Sequence, residues 1–206
     1  MNIFTKKVFD KKAQKRKSSL LFQKGLSLIE ASMVLALSAI VVSGVMYYYQ
    51  AASDNNKTQS TVSEVMSIVS AVNGLFVGTA DYAGLTAKTI IDTSAIPDNY
   101  KKGTQIMHPF GGEVNLGQVN KGGYYIVLND VPKGPCVNLA SMNFGTSLHG
   151  VGVGVDYNQA AQGNVTSAPT SGSDASSGKI YDKALTPAQA AKACSNNTNK
   201  IAFLLK

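Results

Sequence analysis

The sequence contains no tryptophan, two histidines and two cysteines, and this scarcity limits the chemistry that it can support. His108 and His149 stand in no H-E-x-x-H pattern, and the chain has neither a G-x-S-x-G nucleophile motif nor a phosphate-binding glycine loop. Gly150–Gly154 alternates glycine with valine, but it lacks the following helix and acid of a dinucleotide site. We therefore expect no catalytic residue, no cofactor and no metal, and we interpret the chain as a non-enzyme.

Excess cationic charge is missing from most of the chain. Residues 1–25 hold eight basic side chains and one acid, which accounts for the whole net charge of +7. Residues 26–206 hold eleven of each sign and are formally neutral. Because nucleic-acid binding needs a basic footprint on the folded part, this distribution disfavours a nucleic-acid partner. A basic segment ahead of an apolar helix is instead typical of a leader that stays in the cytoplasm.

Lysine, arginine and aspartate are absent from the run Ala31–Tyr49. With its flanks this run is long enough to cross a bilayer as a helix, which takes ~20 mostly apolar residues. A secretory signal would end in an Ala-x-Ala-like cleavage site, whereas the only small residue at a polar–apolar border here is Gly25, which precedes the run. Cleavage between Gly25 and Leu26 would remove the basic leader and keep the helix as a structural part.

Glu30 is the only charged residue between Leu26 and Tyr49. A carboxylate within a membrane costs roughly 2.5–3.5 kcal/mol, so it usually has a functional partner. One interpretation is a capping box, in which Glu30 and Ser27 satisfy free amides at the helix start. The other pairs Glu30 with the new α-amino group of Leu26 on a neighbouring subunit, which would neutralise both charges and fix one axial register. Gly25 before the acid and the apolar run after it favour the second interpretation.

The N-terminal pattern resembles the prepilin signal of type IV pilins, and the leader length and the leucine at 26 resemble the type IVb subgroup. The segments that carry the resemblance are Gly25–Glu30, residues 33–37, 44–50, 93–101 and 109–113. The resemblance covers most of residues 20–206 and is least specific around 158–178.

Several properties follow from the resemblance as expectations. It implies cleavage after Gly25 by a prepilin peptidase, N-methylation of Leu26, and a role of Glu30 in assembly. It implies a homopolymeric fibre built by an ATP-driven inner-membrane machine. The precursor would reside in the inner membrane of a Gram-negative bacterium, and the product would be an extracellular pilus that promotes aggregation and adherence, including contact with a host cell surface.

The helix is predicted to run from Leu26 to about Val77, with an apolar half that protrudes and an amphipathic half that packs on a domain. Gly44 and residues 53–56 are predicted to loosen it, since no proline precedes Pro97. The predicted packing face consists of Val62, Val65, Met66, Val69, Val72 and Phe76. The predicted polar face consists of Ser60, Ser63, Glu64, Ser67 and Ser70.

The remaining signals predict an α+β domain in which the long helix lies on an antiparallel sheet, the type IV pilin fold. Strands are predicted at 123–128, 151–157 and 201–205, with an edge strand at 113–116. Helices are predicted at 85–94, 135–143 and 186–194, and 158–178 is predicted to be an exposed loop. The domain organisation is thus a cleaved leader at 1–25, a transmembrane and assembly segment at 26–53, and a globular domain at 54–206.

Cys136 and Cys194 are the only cysteines. An even count in an exported chain favours a disulfide, with free buried thiols as the alternative. A zinc site is disfavoured because no CxxC and no paired histidine accompany them. The resemblance to type IV pilins assigns the pair to a disulfide that bounds a variable, surface-exposed region, here 136–194.

Three kinds of function remain open. A structural fibre subunit accounts for the leader, Glu30, the long helix and the cysteines together. A minor pilin, or a pseudopilin of a secretion system, shares these features. A signal-anchored periplasmic enzyme would explain the helix but not Gly25 and Glu30.

Overall fold

The structure is a computed structural model that describes residues 27–93, 96–170 and 172–206. The chain divides into two units, with the boundary between Val45 and Met46. Helix α1 spans Leu28–Leu75 and contributes residues to both units. It ends where the Phe76 amide still bonds to the Val72 carbonyl and where Gly78 adopts a positive φ of 81°, which interrupts helical geometry.

The second unit contains the sheet and the short helices. The helices are α2 (Ala87–Asp92), α3 (Lys133–Ala140), α4 (Tyr157–Gln162) and α5 (Pro187–Ala193). The strands are β1 (Lys101–Lys102), β2 (Gln105–Met107), β3 (Glu113–Gln118), β4 (Tyr124–Pro132), β5 (Leu148–Val153), β6 (Val165–Thr166), β7 (Lys179–Tyr181) and β8 (Thr198–Leu205). In the described part of the chain they form one sheet in the order β1-β2-β3-β4-β8-β5-β7-β6, antiparallel except for the β6–β7 pair.

The predicted α+β class, a long N-terminal helix with a largely antiparallel sheet, is therefore confirmed. The central strands β4 and β8 are covered on both faces. Ile126 and Phe203 point into the main core, which also receives the second half of α1, whereas Val127 and Ala202 point into a smaller cluster that includes Ala160 of α4. This alternation is the period of two expected of a β-strand.

The packing face of α1 differs from the predicted one. Val65, Ile68 and Val72 are buried in the main core, whereas Met66 is 52% exposed. Glu64, placed on the solvent face by the sequence pattern, is only 3% exposed. The reason is rotational: positions 61, 64, 65, 68 and 72 share one side of an α-helix, and the fold buries that side.

Three further predictions about the domain were wrong. β3 is not an edge strand, because β2 pairs with it on the side opposite β4. Strand β5 ends at Val153, because Asp156 caps α4 through a capping box with Gln159. The segment 158–178 is not simply an exposed loop, since it contains most of α4 and all of β6, and Ala160 and Ala175 are buried.

Local signals placed α5 well. The Thr186 hydroxyl accepts a hydrogen bond from the Gln189 amide, the Gln189 side-chain oxygen accepts one from the Thr186 amide, and Pro187 occupies the first helical position. These are the bonds that satisfy free amides at a helix start. The Gln189 side chain also donates to the Pro169 carbonyl at 3.0 Å, so the helix start holds the preceding segment in place.

Candidate functional site

The predicted processing site lies outside the described residues. Gly25 and Leu26 both fall there, as does the whole leader, 1–25, and the described chain begins at Ser27. Cleavage between Gly25 and Leu26, and methylation of Leu26, therefore stay predictions. The predicted boundary between residues 53 and 54 also stays a prediction.

Glu30 is the third residue of α1, in its first turn. Its side chain is exposed, and within the described residues it makes no ion pair and no hydrogen bond, including the capping bond to Ser27. The hydroxyls of Ser32 and Ser38 instead bond to helix carbonyls of Ile29 and Val34, at 2.8 and 2.7 Å. These hydroxyls therefore donate to the helix backbone and not to the Glu30 carboxylate.

The first part of α1, on both sides of Glu30, exposes a mostly apolar surface. An 18-residue window of α1 has a mean hydropathy of 2.1, none of it is buried, and the helix is long and apolar enough to cross a membrane. The large exposed apolar side chains in this segment are Leu28, Ile29, Met33, Val34, Leu35, Leu37, Ile40, Val41, Val42 and Val45. A soluble monomer rarely presents so large an apolar surface, so this one requires a lipid or protein environment.

Cys136 in α3 and Cys194, directly after α5, are joined by a disulfide. Their Cα atoms are 6.1 Å apart, they are separated by 58 positions in the sequence, and both are fully buried in the main core. Loop closure of that size stabilises a fold by about 4 kcal/mol in the chain-entropy model. The bond links two helices that flank the sheet and encloses β5, β6 and β7.

Glu64 was predicted to lie on the polar face of α1, but it is buried. Both carboxylate oxygens are buried, and neither has a hydrogen-bond partner among the described residues. Burial raises the pKa of this carboxyl from its ordinary 4.5 to about 8, because the charged form loses its water. Helical spacing could have predicted the burial of Glu64, because it lies three residues after Thr61 and four before Ile68. Residues at these spacings share one side of a helix, and both neighbours are buried.

His108, which stands in no catalytic motif, is only 2% exposed. It begins the turn between β2 and β3, in which its amide bonds to the Gly112 carbonyl at 3.0 Å and the Gly111 amide bonds back to its carbonyl at 2.8 Å. Gly111 has a φ of 87°, the left-handed conformation that favours glycine. His149, half-buried on β5, lies apart from this turn.

Comparison with solved structures identifies the fold. The chain resembles the type IV b pilin from Salmonella typhi, with a TM-score of 0.51 and 15% identity over 70% of this chain and 97% of that one. It also resembles TcpA, a type IV pilin from Vibrio cholerae El Tor, with a TM-score of 0.53 and 11% identity over 73% of this chain and 99% of that one. At these identities the likeness shows the fold, which is that of the type IV pilins.

Comparison of sequences then gives the family. The bundlin family model matches residues 50–205. Two curated relatives, each described as the major structural subunit of bundle-forming pilus, come from Escherichia coli O111:H- and Escherichia coli O127:H6. Each is 48% identical over 192 residues, which is 90% of this chain and 95% of the relative. The chain belongs to the bundlin family.

Proposed function

We propose that this chain is the major structural subunit of a type IVb pilus of the bundle-forming kind, a fibre through which bacteria aggregate and adhere. The observation that carries the proposal is the 48% identity to two such subunits over 90% of the chain. The exposed apolar part of α1 supports it, as does Glu30, which has no ion-pair or hydrogen-bond partner among the described residues, because a fibre core and a neighbouring subunit would supply what each lacks.

The first step is processing at the membrane. The precursor resides in the inner membrane through residues 26–53, with the leader in the cytoplasm and residues 54–206 outside. Prepilin peptidase removes residues 1–25, and Leu26 becomes the methylated first residue. The mean hydropathy of α1 and the cluster of positive charge before it support this orientation.

The second step is docking. The α-amino group of Leu26 on an incoming subunit meets Glu30 of a subunit already in the fibre, so that two charges lacking water neutralise each other. The inner-membrane assembly machine drives this transfer from lipid to fibre. The apolar surface of α1 then leaves the lipid for contacts with other copies. In the finished fibre, which is surrounded by water, each fully buried leucine, isoleucine or valine is worth about 1.5–3 kcal/mol relative to exposure in water.

The third element is the outward-facing domain. The disulfide between Cys136 and Cys194 holds the region 136–194 to the sheet, and this region supplies surfaces for bundling and for contact with a host cell. Covalent stabilisation suits an exported domain that has no access to chaperones or reducing conditions once it is outside the cell.

Composition of the surface fibres tests the proposal. Fibres sheared from cells that carry this gene are separated and quantified by mass spectrometry, with cells lacking the gene as control. The proposal expects this chain to be the predominant protein of the fibres, and expects the fibres to be lost with the gene. A trace amount in fibres made mainly of another subunit would assign it instead to the minor pilins.

A further inference from the structure

A pocket lies beside Glu64, and the role inferred for it rests on the proposed function. The pocket is about 220 Å³ and is lined by Ser60, Ser63 and Ser67 of α1 together with Pro97 and Tyr100. Glu64 forms part of its wall. The volume exceeds that of several water molecules, about 30 Å³ each, so a group the size of an ammonium fits. Four of the lining side chains carry hydroxyl oxygens.

The chemistry of the lining indicates a cationic occupant. Glu64 carries two buried oxygens without a hydrogen-bond donor among the described residues, and such unpaired groups are costly. Serine and tyrosine oxygens accept hydrogen bonds as well as donate them, so they add acceptors around a carboxylate. Because the Glu64 oxygens have almost no accessible surface, the carboxyl must turn toward the pocket to meet a ligand. An ammonium, with three donors and a positive charge, would then satisfy the carboxylate and up to two hydroxyls.

Lysine is the side chain in the described part of this chain that could supply such an ammonium. The only arginine of the sequence is Arg16, in the segment that processing is proposed to remove. Lys101, next to the pocket residue Tyr100, is already held by Asp98 at 2.7 Å. Other lysines, such as Lys88, Lys102 and Lys133, are exposed and make no ion pair with any described residue.

We propose that Glu64 and the hydroxyls around it form a receptor for a lysine ammonium of a second copy of this chain in the fibre. A homopolymer places many copies of each exposed lysine beside every pocket, so the effective concentration of this partner is high. Docking of the ammonium transfers the carboxyl proton to solvent and converts a neutral buried acid into one half of an ion pair. The pocket thus supplies a second intersubunit contact, in the globular domain, besides that of Glu30.

Crosslinking of assembled fibres tests the contact directly. Fibres made from an equal mixture of subunits of two nitrogen isotopes are treated with a water-soluble carbodiimide, which joins carboxylates to amines in contact. We expect a peptide containing Glu64 joined to a lysine peptide, with half of the products carrying both isotopes. The link between Asp98 and Lys101 within one subunit serves as the internal standard. Its appearance without an isotope-mixed Glu64 product overturns the inference.

Substitution of Glu64 distinguishes a contact between subunits from an acid that is only buried within one subunit. In both cases the subunit should become more stable, but only loss of an intersubunit contact should weaken fibre assembly. Glu64→Gln removes a buried acid, so it should raise the stability of the subunit, while the association constant for fibre assembly should fall about tenfold through loss of a charge-assisted bond. Glu113→Gln, at the only other glutamate of the globular domain, is the matched control and should leave assembly unchanged. Glu64→Gln fibres that are as stable as the unsubstituted ones overturn the inference and leave the proposed function standing. Failure of the unsubstituted chain to form fibres would contradict both.

Discussion

His108 donates a hydrogen bond from Nε2 to the carbonyl oxygen of Asn129, which joins the turn after β2 to strand β4. Its other nitrogen, Nδ1, accepts from the Phe110 amide at 3.3 Å. Asn129 in turn donates from its side chain to the Glu113 carbonyl at 2.9 Å and to the Asn115 side chain at 2.7 Å. The neutral imidazole therefore satisfies both of its nitrogens, and a second proton would remove the bond from Phe110.

The first prediction is that His108 makes the domain less stable in mild acid. Burial, the largest effect, lowers the pKa of His108, while the Asn129 carbonyl and Asp130 raise it less. Below pH ~6.5 the unfolded chain binds a proton that the folded chain excludes, so this residue reduces stability by up to about 1.4 kcal/mol per pH unit as pH falls toward the folded pKa. Denaturant unfolding of the detergent-solubilised chain from pH 7.5 to 5, compared with His108→Gln, measures this difference.

The control for that experiment is His149→Gln. The pKa of His149 is also lowered, by burial and by Lys206, but its side chain is more exposed, so we expect a smaller change in the pH dependence. If His108→Gln and the unsubstituted chain lose stability in parallel below pH 6.5, the neutral imidazole does not support the turn.

The second prediction concerns Glu64 in the separate subunit. Its folded pKa of about 8 lies above the ordinary 4.5, so the folded state retains a proton that the unfolded state releases. Stability therefore falls as pH rises from 4.5 to about 8, and the loss at pH 7 is on the order of 3 kcal/mol. Glu64→Gln should remove this loss and raise the free energy of unfolding at pH 7, as calorimetry or denaturant titration would show. Equal pH dependence in Glu64→Gln and Glu113→Gln would contradict the assignment.

Prediction from sequence succeeded where the signal was local. Thr186, Pro187 and Gln189 specify α5 by capping chemistry, and the continuous runs of apolar residues in β4 and β8 specify two central strands. The apolar run after Glu30 predicted the first half of α1 in the same way. Each of these depends on residues a few positions apart.

The rest required contacts between distant parts of the chain. Glu64 is buried because it lies on the side of α1 that packs into the core. The serines around it in the sequence led to the wrong prediction that this side faces solvent. His108 is buried because Asn129, 21 positions later, lies opposite it. Strand β6 has two residues and exists through its pairing with β7, so its sequence carries little signal of its own.

The third prediction is that the disulfide stabilises the domain substantially. Replacing Cys136 and Cys194 together by serine should reduce the free energy of unfolding by about 2–5 kcal/mol, because a long loop is released and two hydroxyls replace buried sulfur atoms. Denaturant unfolding of the double variant against the unsubstituted chain measures it. Each single serine variant should be at least as destabilised as the double variant, and a loss below about 1 kcal/mol in the double variant would show that packing alone holds α3 and α5.

The fourth prediction is that Glu30→Ala abolishes fibre assembly while export and the disulfide remain intact. The acid is exposed and makes no ion pair or hydrogen bond within the described chain, so its loss should not affect folding. Electron microscopy of the cell surface and nonreducing electrophoresis of the membrane fraction measure the two properties. Glu30→Gln, which keeps the shape and removes the charge, should also fail to assemble. Normal fibres from either variant would restrict Glu30 to a role at the helix start.

In the fibre, we expect each subunit to begin at the α-amino group of Leu26, which cleavage after Gly25 exposes. Mass spectrometry of the N-terminal peptide from sheared fibres tests it most directly, with Gly25→Leu as the variant that should block processing. The account predicts a chain that starts with N-methylated Leu26 in the fibres, and an uncleaved precursor confined to the membrane in the variant. Fibre subunits that still carry residues 1–25, or a Leu26 terminus in Gly25→Leu, would contradict it.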